Sequence, residues 1–157
     1  MLSDLKIDRV RVDKSEFRFN TNFNESPEAR LDLNINYDVD FMVSIDNEKA
    51  GIVLLECGIN SNEKFQDVPF AIEVSLVGFF SVEKGKVQEY FVNAVSVLFP
   101  YLRAHISTLT SISGIPPVTL PSVNVIKLLE SIHIVGENNE NETEEVIDEK
   151  KKIDENL

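Results

Sequence analysis

From Leu31 to Asp46 apolar and polar residues alternate almost without a break. Leu31, Leu33, Ile35, Tyr37, Val39, Phe41, Val43 and Ile45 share one phase. Asp32, Asn34, Asn36, Asp38, Asp40, Met42, Ser44 and Asp46 share the other. A period of two predicts a strand with one buried and one wet face. Asp46-Asn47-Glu48 then supplies a turn. Lys49–Asn60 is apolar in both phases, with Ala50, Ile52 and Leu54 against Val53, Leu55, Cys57 and Ile59. That pattern predicts a central strand covered on both sides, the second cover being open to a partner subunit. Ser61-Asn62-Glu63 is a loop, and Asp67–Val82 a further strand, with Val68, Phe70, Ile72, Val74, Leu76, Phe80 and Val82 on one face and Glu73 and Ser75 on the other. Residues 5–19 are a strand whose phase slips twice: Leu5 and Ile7, then Val10 and Val12, then Phe17 and Phe19. Slips of this kind mark bulges at a sheet edge. Residues 20–30 are a polar crossing loop carrying Phe23.

From Lys86 the period turns helical. Val87, Tyr90, Phe91, Ala94, Val95, Leu98, Leu102, Ile106 and Leu109 form one stripe, with Pro100 inside it and a kink expected there. Gly114 is a C′ residue, Pro116-Pro117 forces an extended connector, and Ile115 before it is excluded from the helix. A short helix follows from about Ser122, as its cap, to Ile134, with Val123, Ile126, Leu129 and Ile132 inward. Strands first and helices last predict an α+β fold: a four-stranded antiparallel sheet, a long kinked helix, a Gly/Pro connector and a second short helix.

Composition narrows the function. The net charge of −12 argues against nucleic acid and anionic membrane as partners. Residues 137–157 hold nine acidic and three basic side chains, so they separate as an acidic, disordered tail from a domain over residues 1–136. The tail is either a solubilising extension or a contact for a basic partner. The one cysteine, Cys57, leaves no internal disulfide and suits a reducing cytoplasm. No signal peptide or membrane-spanning run is expected. His105 and His133 lack metal-ligand spacing to each other or to Cys57, and the six glycines form no phosphate loop. No cofactor, metal or catalytic group is expected.

The block Leu98-Phe99-Pro100-Tyr101, with Arg103 and Ile106, precedes Gly114-Ile115-Pro116-Pro117 and Leu120-Pro121-Ser122-Val123-Asn124. Together with Phe70-Ala71-Ile72-Glu73-Val74 and Gly78-Phe79-Phe80 upstream, this order resembles the SecB family of protein-export chaperones over residues 5–135. The resemblance implies an ATP-independent holder of unfolded polypeptides or preproteins, assembled as a homotetramer that is a dimer of dimers. It implies delivery to the export ATPase SecA, with Glu73 and Ala71 on the docking surface and Lys14 and Arg18 where two further acidic positions are expected. Like charges facing a basic partner oppose docking. Some SecB-like proteins instead protect an antitoxin, so an antitoxin client stands as the alternative.

A holding chaperone needs apolar surface that is accessible yet dispersed by charge. Phe17, Phe23, Phe65, Phe79 and Ile115 fall outside the simplest core stripes; with Leu120, Ile126 and Leu129 they are the expected polypeptide-binding groove. The competing reading of these rings is ordinary core or subunit packing. An antiparallel sheet around a long helix also describes hot-dog-fold thioesterases, but the inward helix stripe is apolar, with Glu89 and His105 off it, so an enzyme is not expected.

Overall fold

The computed structural model describes residues 4–24 and 32–132. The chain divides into two compact units, Met1–Ser122 and Val123–Leu157. In the first, strands β1 (Leu5–Phe19), β2 (Ile35–Val43), β3 (Ala50–Ile59) and β4 (Phe70–Val82) precede helix α1 (Phe91–Ile112). The sheet is antiparallel throughout, in the order β1-β4-β3-β2.

β1 keeps register with β4 except for shifts between Ile7 and Arg9 and between Val12 and Lys14. These are the two places where its apolar phase slips. Each extra residue returns the next apolar pair to the helix side, so a broken alternation in sequence becomes one continuous apolar face. β2 is shorter than its alternation, because β3 ends at Ile59 opposite Ile35 and Gly51 opposite Val43. β4 begins at Phe70 after a 3-10 turn over Phe65–Asp67.

One face of the sheet carries α1. Val53, Leu55, Ile59, Ile72, Leu76 and Phe80 are buried there against Ala94, Val95, Leu98, Leu102 and Ile106. Gly78 permits this approach: a Cβ at that position would stand 2.5 Å from the Phe80 ring and 3.2 Å from Leu98. α1 is preceded by a 3-10 turn over Val87–Tyr90 and continues through Pro100 to Ile112. Phe99, outside the expected stripe, is buried too; its ring meets Tyr37 edge-on at 5.4 Å. Gly114, with φ +82°, closes α1 in the left-handed conformation that favours glycine.

The Tyr37 hydroxyl is buried without a hydrogen-bond partner among the described residues, and burial pushes its pKa up to about 12 from 10.0. A raised folded-state value contributes stability that is complete below pH 10 and is lost as pH rises through 12. Tyr37→Phe removes the stranded hydroxyl and keeps the ring. It is expected to raise the unfolding free energy at pH 7 by about 1 kcal/mol. Urea titrations at pH 7 and pH 11 check this: the gain should widen at the higher pH.

In the second unit, residues 125–132 form a helix, α2. Its cap is not Ser122: the Asn124 Oδ1 accepts the backbone N–H of Lys127 at 3.1 Å. Leu129 is buried, but Ile126 is 58% exposed and so does not join the inward row expected for it. The acidic tail falls outside the described residues, as does the expected domain boundary at residue 136.

A candidate polypeptide-binding cleft

The end of β1, the start of β4, the crossing loop and the Gly/Pro connector converge on a cleft of about 880 Å³. Phe19, Phe23, Leu33, Phe70 and Ile115 supply its largest apolar side chains, and Pro69, Pro116 and Pro117 its stiff rims. Among the described residues no lining residue is charged, in a chain where 27% of residues are. Phe19 is 55% and Leu33 36% exposed, so the apolar surface is open to solvent.

Three buried polar side chains build the walls. The Asn20 amide donates to the Phe65 and Val68 carbonyls at 2.9 and 3.0 Å, and its oxygen accepts the Asn22 N–H at 3.0 Å. The Asn20 backbone N–H donates to the Pro69 carbonyl at 2.8 Å, so the crossing loop leaves β1 at a fixed angle toward Phe23. Asn60, with φ +57°, donates its amide to the Phe70 carbonyl at 3.0 Å. Its side-chain oxygen accepts the Asn34 N–H at 3.1 Å, which holds the segment bearing Leu33. On the far wall, buried Thr110 accepts the Val118 N–H at 2.9 Å through its hydroxyl, while Arg103 donates to the Pro121 carbonyl at 3.3 Å. The connector has almost no secondary-structure hydrogen bonds of its own, so these two contacts set its path.

Of the residues expected to line a groove, Phe23 and Ile115 meet in the cleft. Phe17 is half-buried behind it, stacked on Phe70 at 5.8 Å. Phe65 is half-buried under the Arg18 guanidinium at 4.7 Å. Leu120 is 2% exposed and so offers little surface. Phe79 lies on the opposite face of the sheet, beneath Arg9 and Arg11. Phe19, Leu33 and Phe70 are lining residues that sequence reasoning assigned only to strands. The signal available was Phe19 at the last position of a strand, where no helix residue remains to cover it.

Glu73 and Ala71 also occupy the helix-free face. The Glu73 carboxylate is ion-paired with Lys14, and Arg18 pairs with Glu16 at 3.0 Å. Next to them Asp38, Glu56 and Ser75 line a small polar depression of about 290 Å³. Cys57 is buried, and burial alone pushes its thiol up to about 12, so no thiolate forms near neutral pH. His105 shares a hydrogen bond of 2.8 Å with Ser15. Among the described residues no three His, Cys, Asp or Glu side chains converge as metal ligands, and no helix is long and apolar enough to cross a membrane.

Known proteins resemble this chain over most of its length. The profile of the family described as preprotein translocase subunit SecB matches residues 11–132. An uncharacterized protein of Methanocaldococcus jannaschii is 34% identical over 122 residues, 74% of this chain and 79% of that protein. The protein-export protein SecB of Anaplasma phagocytophilum is 28% identical over 114 residues, 66% of this chain and 72% of its own. Among solved structures, the SecB-like chaperone of Mycobacterium tuberculosis in complex with a ChAD peptide from the HigA1 antitoxin has the same fold. Its TM-score is 0.61 at 17% identity, covering 77% of this chain and 91% of that one.

Proposed function

This chain belongs to the SecB family, and on that premise we propose that it is an ATP-independent cytoplasmic chaperone, without enzymatic activity, that holds unfolded polypeptide in the uncharged cleft. The observation that carries this reading is the cleft itself: accessible aromatic and aliphatic side chains, stiff proline rims and, among the described residues, no charge. Burying a client leucine or phenylalanine there contributes about 2 kcal/mol per side chain. Extended chains of many sequences supply such residues, so the site tolerates sequence variation. The −12 charge keeps particles with exposed apolar surface apart.

The proposed assembly is a homotetramer, a dimer of dimers. Among the described residues β1 is an edge strand of the sheet, in the order β1-β4-β3-β2. Beside it Val12, Val97 and Tyr101 are exposed, at 45%, 41% and 47%. A sheet edge flanked by apolar surface is the kind of feature that a second copy covers.

Glu73 and Ala71 are proposed as the contact for SecA-type delivery. The Lys14–Glu73 pair favours the other destination, a dedicated antitoxin-like client, because the carboxylate that delivery requires already has a cation beside it.

The test is suppression of aggregation of an unfolded model protein without nucleotide. Protection is expected at one tetramer per client, with no effect of added ATP. Turbidity equal to the chaperone-free control overturns the proposal.

A further inference from the structure

The strand predicted to be covered on both sides is covered on one. On the helix-free face of the sheet, Ile52 and Leu54 of β3 are half-exposed and Met42 of β2 is 55% exposed. The register places these residues in two cross-strand rows. Arg9, Phe79, Ile52 and Met42 form one row, and Arg11, Val77, Leu54 and Asp40 the next. Lys6 opposes Ser81 in the row beyond. This half of the face is an apolar strip with three cations along its β1 border. The other half, through Glu16, Asp38, Glu56 and Glu73, is polar and largely acidic.

Two guanidiniums lie over the half-buried Phe79 ring, Arg9 at 5.6 Å and Arg11 at 5.3 Å from its centroid. Arg11 is held in a two-pronged contact with Asp13, whereas Arg9 forms no ion pair among the described residues. Lys6 pairs with Glu83 across exposed surface. An exposed Lys–Glu pair of this kind contributes very little, so an incoming carboxylate displaces Glu83 from Lys6 at little cost. At Arg9 and Arg11 it competes with Asp13, which is held by Arg11 and feels the charge of Arg9. A guanidinium resting on an aromatic ring is partly stripped of water and oriented, which favours planar pairing with a carboxylate.

We infer that the Arg9–Phe79–Arg11 end of the helix-free sheet face docks an acidic segment of a second protein that carries large apolar side chains. Its apolar groups lie on Ile52, Leu54 and Phe79 while its carboxylates meet Arg9 and Arg11. The strip faces away from the helix side and contains none of the cleft-lining residues, so partner and client bind at the same time. Within the chaperone reading this is a surface for an adaptor or acceptor; as a physical site it stands without that reading.

The test uses the full-length chain carrying Phe19→Ala and Phe23→Ala, which disable the cleft, and two fluorescent 12-residue probes. Both alternate Phe or Leu with a charged residue, Asp in one and Lys in the other. The Asp probe is expected to bind, and to weaken as sodium chloride is raised from 50 to 300 mM. Arg9→Glu with Arg11→Glu should weaken it at least about a hundredfold, since like-charge contacts cost several kcal/mol, and Phe79→Ala about tenfold. Circular dichroism confirms that each variant is folded; should the double reversal unfold, the Phe79→Ala arm decides. Equal or tighter binding of the Lys probe overturns the inference. So does indifference to both sets of substitutions. A smaller particle by sedimentation on charge reversal also overturns it, because the face then belongs to a second copy. A working cleft with a silent sheet face defeats this inference alone; a failed aggregation assay with salt-sensitive Asp binding defeats only the chaperone reading.

Discussion

Replacing Phe19 and Phe23 together with alanine is expected to weaken capture of an unfolded, uncharged peptide by about a hundredfold while leaving the melting temperature within about 2 °C. Each ring offers a client an apolar contact worth near 1.4 kcal/mol, a factor of about ten, and the two are independent enough to multiply. Stability is little affected because neither ring belongs to the packed interior. Phe19 is 55% exposed, and Phe23 is half-buried on a loop anchored by Asn20 rather than by its own ring. Fluorescence anisotropy with a labelled peptide and a thermal melt read the two effects separately. A parallel fall in both would make the rings structural. Salt gives a second readout. With no charged side chain among the described lining residues, the cleft should hold its peptide equally well at 50 and 300 mM, the reverse of the behaviour expected for the Arg9–Phe79–Arg11 surface.

Much of this arrangement was legible in the sequence, for reasons that differ from element to element. The two slips in β1 could be bracketed, between Ile7 and Val10 and between Val12 and Phe17, because a period of two says which side chains share a face. The order of strands and helices fixed the layer architecture. What stayed hidden depended on partners distant in sequence. The alternation in residues 31–46 continues beyond β2, but a strand ends where its neighbour stops pairing, and β3 stops at Ile59. The alternation put Phe80 on the core face and Phe79 off it; that the Phe79 ring lies under Arg9 and Arg11 follows from the register of β1 against β4. The cleft drew Phe23 and Ile115 from exceptions to the core pattern, yet Phe19, Leu33 and Phe70 obey that pattern and were assigned to it. Phe19 and Leu33 are available because α1 and the connector leave them uncovered, which no local periodicity encodes, while Phe70 is 8% exposed and backs the cleft wall. Ile126 illustrates the same limit in a helix: it belongs to the apolar stripe by spacing, yet it is 58% exposed while Leu129 is buried.

Asn60→Ala is expected to cost about 3 kcal/mol and to damage the cleft as well, because one side chain serves both fold and site. Asn60 is buried, has φ +57°, and its amide bridges the first residue of β4 to the segment entering β2. Alanine removes two buried hydrogen bonds, leaving the Asn34 N–H and the Phe70 carbonyl without those partners, at about 1 kcal/mol each. It also places a Cβ in the left-handed region without the local hydrogen bonding that lets asparagine tolerate it, a further cost of about 1 kcal/mol. Asn60→Gly separates the contributions: it loses the same hydrogen bonds but accepts the positive φ, so it should cost about 2 kcal/mol. In both variants Leu33 and Phe70, no longer tied to one residue, lose their fixed spacing across the cleft. Peptide affinity should therefore fall in the glycine variant even at temperatures where it remains fully folded. Urea denaturation of the three proteins gives the stability order, and peptide titration at 15 °C gives the functional loss. Equal stability of the alanine and glycine variants would show that backbone conformation contributes nothing at this position. Unchanged affinity in a folded Asn60→Gly protein would show that the cleft keeps its shape without the asparagine bridge.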